Sequence, residues 1–95
     1  MGMRRRGMRN VRILRHNRSM WYQALDGYVE HMRAAGRAVT TIRLRSQHLA
    51  RAFAWLGCDP YTVTAEQLTG YMAAHEWAPE SRRSVRASLQ GFYRW

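Results

Sequence analysis

Apolar side chains recur at helical spacing along most of this 95-residue chain, and breaks of Gly, Asp and Pro divide the pattern into four segments. No stretch shows the alternation of apolar and polar residues that is typical of a half-buried strand. The four apolar stripes, in chain order, are Trp21, Leu25, Tyr28 and Met32; Ile42, Leu49, Ala52, Phe53 and Leu56; Leu68, Tyr71, Met72 and His75; and Val85, Leu89 and Phe92. The pattern therefore predicts an all-α fold.

Capping and stop signals set the expected limits of these helices. The first helix is expected to begin after an N-cap at Ser19 and to stop at Gly36, and the second to begin after an N-cap at Thr40 or Thr41 and to run to Leu56, before Gly57. A capping box of Thr64 and Gln67 opens the third helix, over 65–76. Pro79 lies in the first turn of the fourth helix, which runs to the end of the chain. A weak repeat at an offset of forty residues pairs Leu49 with Leu89 and Phe53 with Tyr93. The repeat predicts a helical bundle built from two crossed helical hairpins.

The positive charge is concentrated in three parts of the chain. All 16 basic residues are Arg, against 6 acidic residues, which gives a net charge of +10. The first eighteen residues contain no acid and seven Arg, namely Arg4, Arg5, Arg6, Arg9, Arg12, Arg15 and Arg18. The second helix has three Arg and no acid, and the fourth has four Arg and one Glu, whereas acids outnumber Arg in the first and third. We expect a flexible basic arm over 1–18, followed by a helical domain over 19–95 that binds an anionic partner.

Polar side chains on the second and fourth helices have the spacing and chemistry of contacts to DNA. They are Arg43, Gln47 and Arg51 on the outer face of the second helix, and Arg83, Arg86, Gln90 and Arg94 within an arc of about 80° on the fourth. Arg pairs with guanine through two hydrogen bonds, Gln can pair with adenine, and either can bond phosphate. Thr40 and Thr41 could bond phosphates at the start of the second helix, and the arm arginines would contact the DNA backbone. The same faces would also suit simple solvation.

Other classes of site lack their residues in this sequence. The four His lie on different segments, and the single Cys58 can form no internal disulfide, which fits a reducing compartment. There is no Gly-rich phosphate loop or nucleophile elbow, and no apolar run approaches the roughly 20 residues of a membrane span. The sequence therefore predicts no metal, cofactor, small-molecule ligand, membrane partner or catalytic residue. A helical protein-interaction module, whose basic tail binds nucleic acid non-specifically, remains the alternative.

Several short segments, in the right order, resemble the core-binding domain of tyrosine recombinases, the phage integrase family. They are residues 27–37, 41–45, 53–57, 62–68, 77–83 and 89–95. The resemblance covers about residues 20–95 and implies a SAM-like domain of four or five helices. It implies that the domain forms half of a clamp around duplex DNA at a recombination core site, with its second and fourth helices toward the major groove. The chain departs from the family at Ala38-Val39, where Ser-Pro is frequent.

The resemblance also implies which partners and activities to expect. In the family, the catalytic Arg, Lys, His and Tyr belong to a separate C-terminal domain, and this chain stops at Trp95, before such a domain would begin. Tyr93 is therefore not expected to be the nucleophile, and this chain alone is not expected to be an enzyme. The expected partners are double-stranded DNA, the catalytic domain and other integrase protomers, in the cytoplasm of a bacterial host.

Overall fold

The computed structural model describes residues 2–95, and describes side chains from Arg15 onward. Its helices are α1 (Gly2–Ala34), α2 (Val39–Leu56), α3 (Ala65–Ala73) and α4 (Pro79–Arg94), and a short 3-10 helix (Pro60–Thr62) lies between α2 and α3. No strand is present within the described range 2–95. The predicted all-α fold, a small bundle of four helices, is thus confirmed.

Helix α1 is longer than the sequence signals predict. It runs without a break from Gly2, so Ser19 lies inside the helix, and its prediction as an N-cap is wrong. Arg is a good helix former, and nothing in the basic run stops the helix from extending toward the N-terminus. Asn17 Nδ2 donates a hydrogen bond to the carbonyl of Gly57 at 3.0 Å. The packed part of the protein therefore includes residues before position 19.

The helix ends confirm most of the predicted signals. Gly36 and Gly57 have φ angles of 75° and 66°, in the left-handed region that favours glycine, and they end α1 and α2. Pro79 occupies the first turn of α4. The capping box of α3 is also present, because Thr64 accepts a hydrogen bond from the backbone of Gln67 and the Gln67 side chain accepts one in return.

The predicted cap of α2 and the predicted end of α3 are wrong. α2 is preceded by Ala38, which is extended with ψ of 144° and makes no side-chain cap, so Thr40 and Thr41 fall within its first turn. The turn after α1 is short: Arg37 N donates a hydrogen bond to the carbonyl of Met32, and few residues separate this turn from the next helix. α3 ends at Ala73 rather than at residue 76.

The core lies where α1, α2 and α4 meet. Its buried side chains are Trp21, Ala24, Tyr28, Met32, Leu49, Ala52, Phe53, Tyr71, Val85, Leu89 and Phe92. The rings of Trp21 and Phe53 stack with centroids 3.6 Å apart, and Phe92 lies against both. The predicted stripes therefore face one common core, with Leu25, Ile42, Leu56, Leu68 and Met72 packed at its edge.

No helix in the described part of the chain is both long and apolar enough to cross a membrane.

Candidate functional site

The outer face of α2 carries its three predicted contact residues at one-turn intervals. Arg43, Gln47 and Arg51 are all exposed. The opposite face of the same helix buries Leu49 and Phe53 in the core. Since core packing fixes the rotation of the helix about its axis, it also fixes the direction of this polar face.

Thr40 and Thr41 differ in their access to solvent. Thr40 is exposed, whereas Thr41 is half-buried. Both lie in the first turn of α2, where backbone N–H groups have no partner within the helix. Of the two, Thr40 is the better placed to reach an anion outside the protein.

The outer face of α4 carries Arg83, Arg86, Gln90 and Arg94. All four of these side chains are exposed. Val85, Ser88, Leu89 and Phe92 are buried on its other side. Arg86 and Gln90 also line a groove between α3 and α4 whose apolar walls include Leu68 and Met72; Arg83 and Arg94 are not among the residues that line it. The structure thus separates the four predicted residues into two pairs with different surroundings.

Two further arginines on these helices make internal hydrogen bonds. Arg82 donates to the carbonyls of Met72 and His75 at 2.9 and 3.0 Å, which satisfies the open C-terminal end of α3. Its guanidinium also lies 5.8 Å from the centroid of the Trp77 ring. Arg45 Nη1 donates to the Tyr28 hydroxyl at 3.0 Å. Counting charge by helix did not distinguish these structural arginines from the others.

The contact between α2 and α4 includes a polar pair that sequence reasoning missed. His48 Nδ1 lies 2.9 Å from Ser88 Oγ, and Ser88 Oγ donates to the carbonyl of Ser84 at 3.1 Å. Burial, and then the charge of Arg51, lower the pKa of His48. The forty-residue repeat makes positions 48 and 88 equivalent in sequence, but only the packing of α2 against α4 shows that their side chains meet.

The predicted arm is only partly within the described side chains. Arg15 and Arg18 lie on α1, and Arg18 borders a cavity between α1 and α2. The side chains of Arg4, Arg5, Arg6, Arg9 and Arg12 lie outside the described residues. The flexibility of residues 1–18 therefore stays a prediction, although the backbone of residues 2–18 belongs to α1.

Tyr93 is held by the segment between α2 and α3. Its hydroxyl donates to the carbonyl of Pro60 at 3.3 Å. Burial raises the pKa of Tyr93, and the nearby Cys58 and Asp59 raise it further. A raised pKa keeps the Tyr93 hydroxyl neutral, in the form that donates this hydrogen bond.

Among the side chains that the structure describes, no three of His, Cys, Asp or Glu come together as a metal site. His75 instead stacks on Trp77 with ring centroids 4.9 Å apart, and its Nδ1 lies 2.8 Å from the carbonyl of Tyr71. Trp55, off the stripe of α2, contacts Tyr71 edge-on yet remains 49% exposed.

No family model, curated protein or solved structure matches this chain.

Proposed function

We propose that this chain is a double-stranded DNA-binding module of a tyrosine recombinase. In this proposal α2 and α4 contact the major groove of a recombination core site, in the cytoplasm of a bacterial host. The module would hold a separate catalytic domain over the DNA, together with other protomers. The observation that supports it best is the pair of Arg and Gln faces on two helices that pack against each other.

Within the part of the chain whose side chains are described, the arginines of these faces have no anionic partner. Among the described side chains, the ion pair that forms joins Arg33 to Glu30 at 3.5 Å, on α1. Arg43, Arg51, Arg83, Arg86 and Arg94 make no such pair within that part of the chain. Five guanidinium groups without a carboxylate partner among the described side chains, on two helix faces whose direction the core fixes, favour binding to a polyanion over a purely structural role.

The two proposed helices and the arm would contribute differently. Contacts between Arg and phosphate release counterions, and the log–log slope of affinity against salt changes by roughly 0.9 for each phosphate contact. Contacts of Arg and Gln with base edges depend on the sequence of the duplex. We therefore assign most of the salt dependence to the arm and most of the selectivity to α2 and α4.

The first test compares Arg86→Ala with a matched removal of charge on α1. Binding of the purified chain to a labelled duplex, selected from a randomised pool by the wild-type protein, is measured by fluorescence anisotropy at fixed salt. Removal of a base contact is expected to weaken binding by about 5- to 150-fold, the equivalent of roughly 1–3 kcal/mol. Arg33→Ala removes the same charge away from α2 and α4 and should leave the affinity within about twofold. Equal affinities for the wild type and Arg86→Ala would contradict the proposal.

The second test replaces arginines of the arm without shortening α1. Deletion of residues 1–18 would also remove the Asn17 hydrogen bond to Gly57, so Arg4, Arg5, Arg6, Arg9 and Arg12 are changed to Gln instead. We expect a shallower salt dependence, by up to about 0.9 for each phosphate that the arm no longer neutralises, with duplex selectivity retained. If this variant binds no DNA and changes on α2 and α4 have no effect, the chain is instead an interaction module with a basic tail.

A further inference from the structure

His48, Ser84 and Ser88 form a polar seam along the contact between α2 and α4. Ser88 is 1% exposed, and its hydroxyl lies 2.9 Å from His48 Nδ1 and 3.1 Å from the carbonyl oxygen of Ser84. A hydroxyl has one hydrogen, and a carbonyl oxygen can only accept. Both contacts are hydrogen bonds only if the Ser88 hydroxyl donates to Ser84 and His48 Nδ1–H donates to Ser88.

This arrangement selects one tautomer of His48. With the hydrogen on Nδ1, the Nε2 atom of the neutral ring carries a lone pair and accepts hydrogen bonds. Arg51, on the next turn, disfavours a second positive charge beside it, and together with burial this lowers the pKa of His48. The imidazole is therefore held neutral near pH 7.

Nε2 reaches solvent. Among the described side chains, the buried nitrogen or oxygen atom that lacks a hydrogen-bond partner is Trp21 Nε1, and the hydrogen bond of the His48 ring is made by Nδ1. His48 is half-buried, and its Nε2 atom is neither buried nor hydrogen-bonded within the protein, so Nε2 must contact water. Since Arg51 is exposed beside it, the free acceptor of His48 lies at the edge of the outer face of α2.

Acceptors are few on the proposed DNA-contacting surface, where the side-chain oxygens of Gln47, Gln90 and Thr40 can accept a hydrogen bond but the more numerous arginines cannot. Arg is a hydrogen-bond donor only, so Arg43, Arg51, Arg83, Arg86 and Arg94 can pair with guanine O6 and N7 or with phosphate. They cannot accept a hydrogen bond from the exocyclic amino groups that adenine and cytosine present in the major groove. A neutral imidazole nitrogen with a fixed lone pair can do so.

We propose that His48 is a specificity-determining residue that accepts a hydrogen bond, through Nε2, from a base amino group in the major groove. The inference rests on the proposed function, because it needs a duplex on α2 and α4. Ser88 is then a positioning residue, since it fixes the tautomer without touching DNA. Adenine N6 and cytosine N4 share the required chemistry.

The tautomer is tested first, in the free protein, by nitrogen-15 NMR of the imidazole ring. The wild type should show hydrogen on Nδ1 and a lone pair on Nε2. Ser88→Ala should lose this preference, whereas Ser84→Ala should keep it, because the bonded group at position 84 is the backbone carbonyl. Hydrogen on Nε2 in the wild type would overturn the inference whether or not the chain binds DNA.

Base readout is tested by selection from a randomised duplex pool with the wild type, His48→Ala and Ser88→Ala. Wild-type sites should contain one position restricted to adenine or to cytosine, and both variants should relax that position alone. Replacing that adenine by purine, or that cytosine by pyrimidin-2-one, deletes only the amino group and identifies its source. The replacement should weaken wild-type binding by about fivefold, the effect of one neutral hydrogen bond, and leave His48→Ala unaffected.

The outcomes separate the two proposals. If Arg86→Ala loses affinity while His48→Ala selects the same sequences as the wild type, the role of His48 is overturned and the DNA-binding function stands. If the wild type selects no sequence and Arg86→Ala binds as well as the wild type, both are overturned. Circular dichroism of Ser88→Ala, which keeps the imidazole ring, separates a changed tautomer from a loss of fold.

Discussion

Substituting Gly91 by Ala should destabilise the protein, although it places a better helix former in α4. A Cβ at position 91 would lie 2.7 Å from the Tyr28 hydroxyl oxygen and 3.2 Å from Arg45 Nη1, where ordinary contact begins at 3.4 Å. Tyr28 is 2% exposed, and its ring packs edge-on against Phe92 with centroids 5.6 Å apart. Because the ring cannot swing into solvent, the new methyl group must push α1 and α4 apart.

The expected loss follows from three contributions. Overpacking of this kind costs about 1–3 kcal/mol. Displacing the Tyr28 hydroxyl also weakens its hydrogen bond from Arg45, which contributes about 1 kcal/mol. Replacing Gly by Ala in a helix returns up to about 1 kcal/mol. The net loss is therefore about 1–3 kcal/mol, or roughly 4–8 °C in Tm for each kcal/mol.

Gly70→Ala is the matched control for this prediction. Nothing lies within 4 Å of a Cβ at position 70, which is also inside a helix. The same chemical change should therefore stabilise the protein by about 0.5–1 kcal/mol. Thermal and urea unfolding followed by far-UV circular dichroism measure both variants. If Gly91→Ala is as stable as the wild type while Gly70→Ala is stabilised, the close approach of Gly91 to Tyr28 does not exist in solution.

Three other substitutions test separate features of the fold. Thr64→Ala should lose about 1 kcal/mol in urea unfolding because it removes the N-cap of α3, whereas Thr40→Ala, which removes no cap, should be nearly neutral. Arg82→Ala should lower Tm because it leaves two carbonyls of the α3 end unpaired; Arg86→Ala, one turn further along α4 and exposed, should leave Tm within about 2 °C. Folding lowers the pKa of His48, so the unfolded chain binds a proton at this residue more readily than the folded protein does. The stabilisation that the neutral His48 side chain provides is therefore complete above pH 6.5 and is lost as the pH falls. The difference in stability between the wild type and His48→Gln should shrink from about pH 7 to about pH 5.

Most of the fold was predictable because its signals are local. The spacing of Val85, Leu89 and Phe92 gives the buried face of α4, and Thr64 with Gln67 gives the start of α3, without reference to any distant residue. The start of α1 was not predictable in this way. Ser19 is a favoured cap residue, but a cap forms only where the helix begins, and the arginines before it continue the helix.

The sequence showed which polar residues share a face of α2 or of α4, but not which arginines bond other parts of the protein. Spacing along one helix shows that Arg43 and Arg51 share a side, and the structure exposes both. The same reasoning treated Arg45 and Arg82 as equivalent charges, whereas one bonds Tyr28 and the other bonds the end of α3. Those partners lie 17 and 10 residues away in sequence, beyond the reach of helical periodicity.

The sequence by itself determined the helical class, the buried face of each helix and the concentration of positive charge on the second and fourth. Each of these depends on residues within a few turns of one another, where a helical repeat fixes their relative positions. Only the tertiary structure decided which arginines bond other parts of the protein. It also places the Tyr28 hydroxyl next to Gly91, and His48 in contact with Ser88, which lies forty residues away in the sequence. These depend on distances between separate helices, which are set by the packing of the whole core.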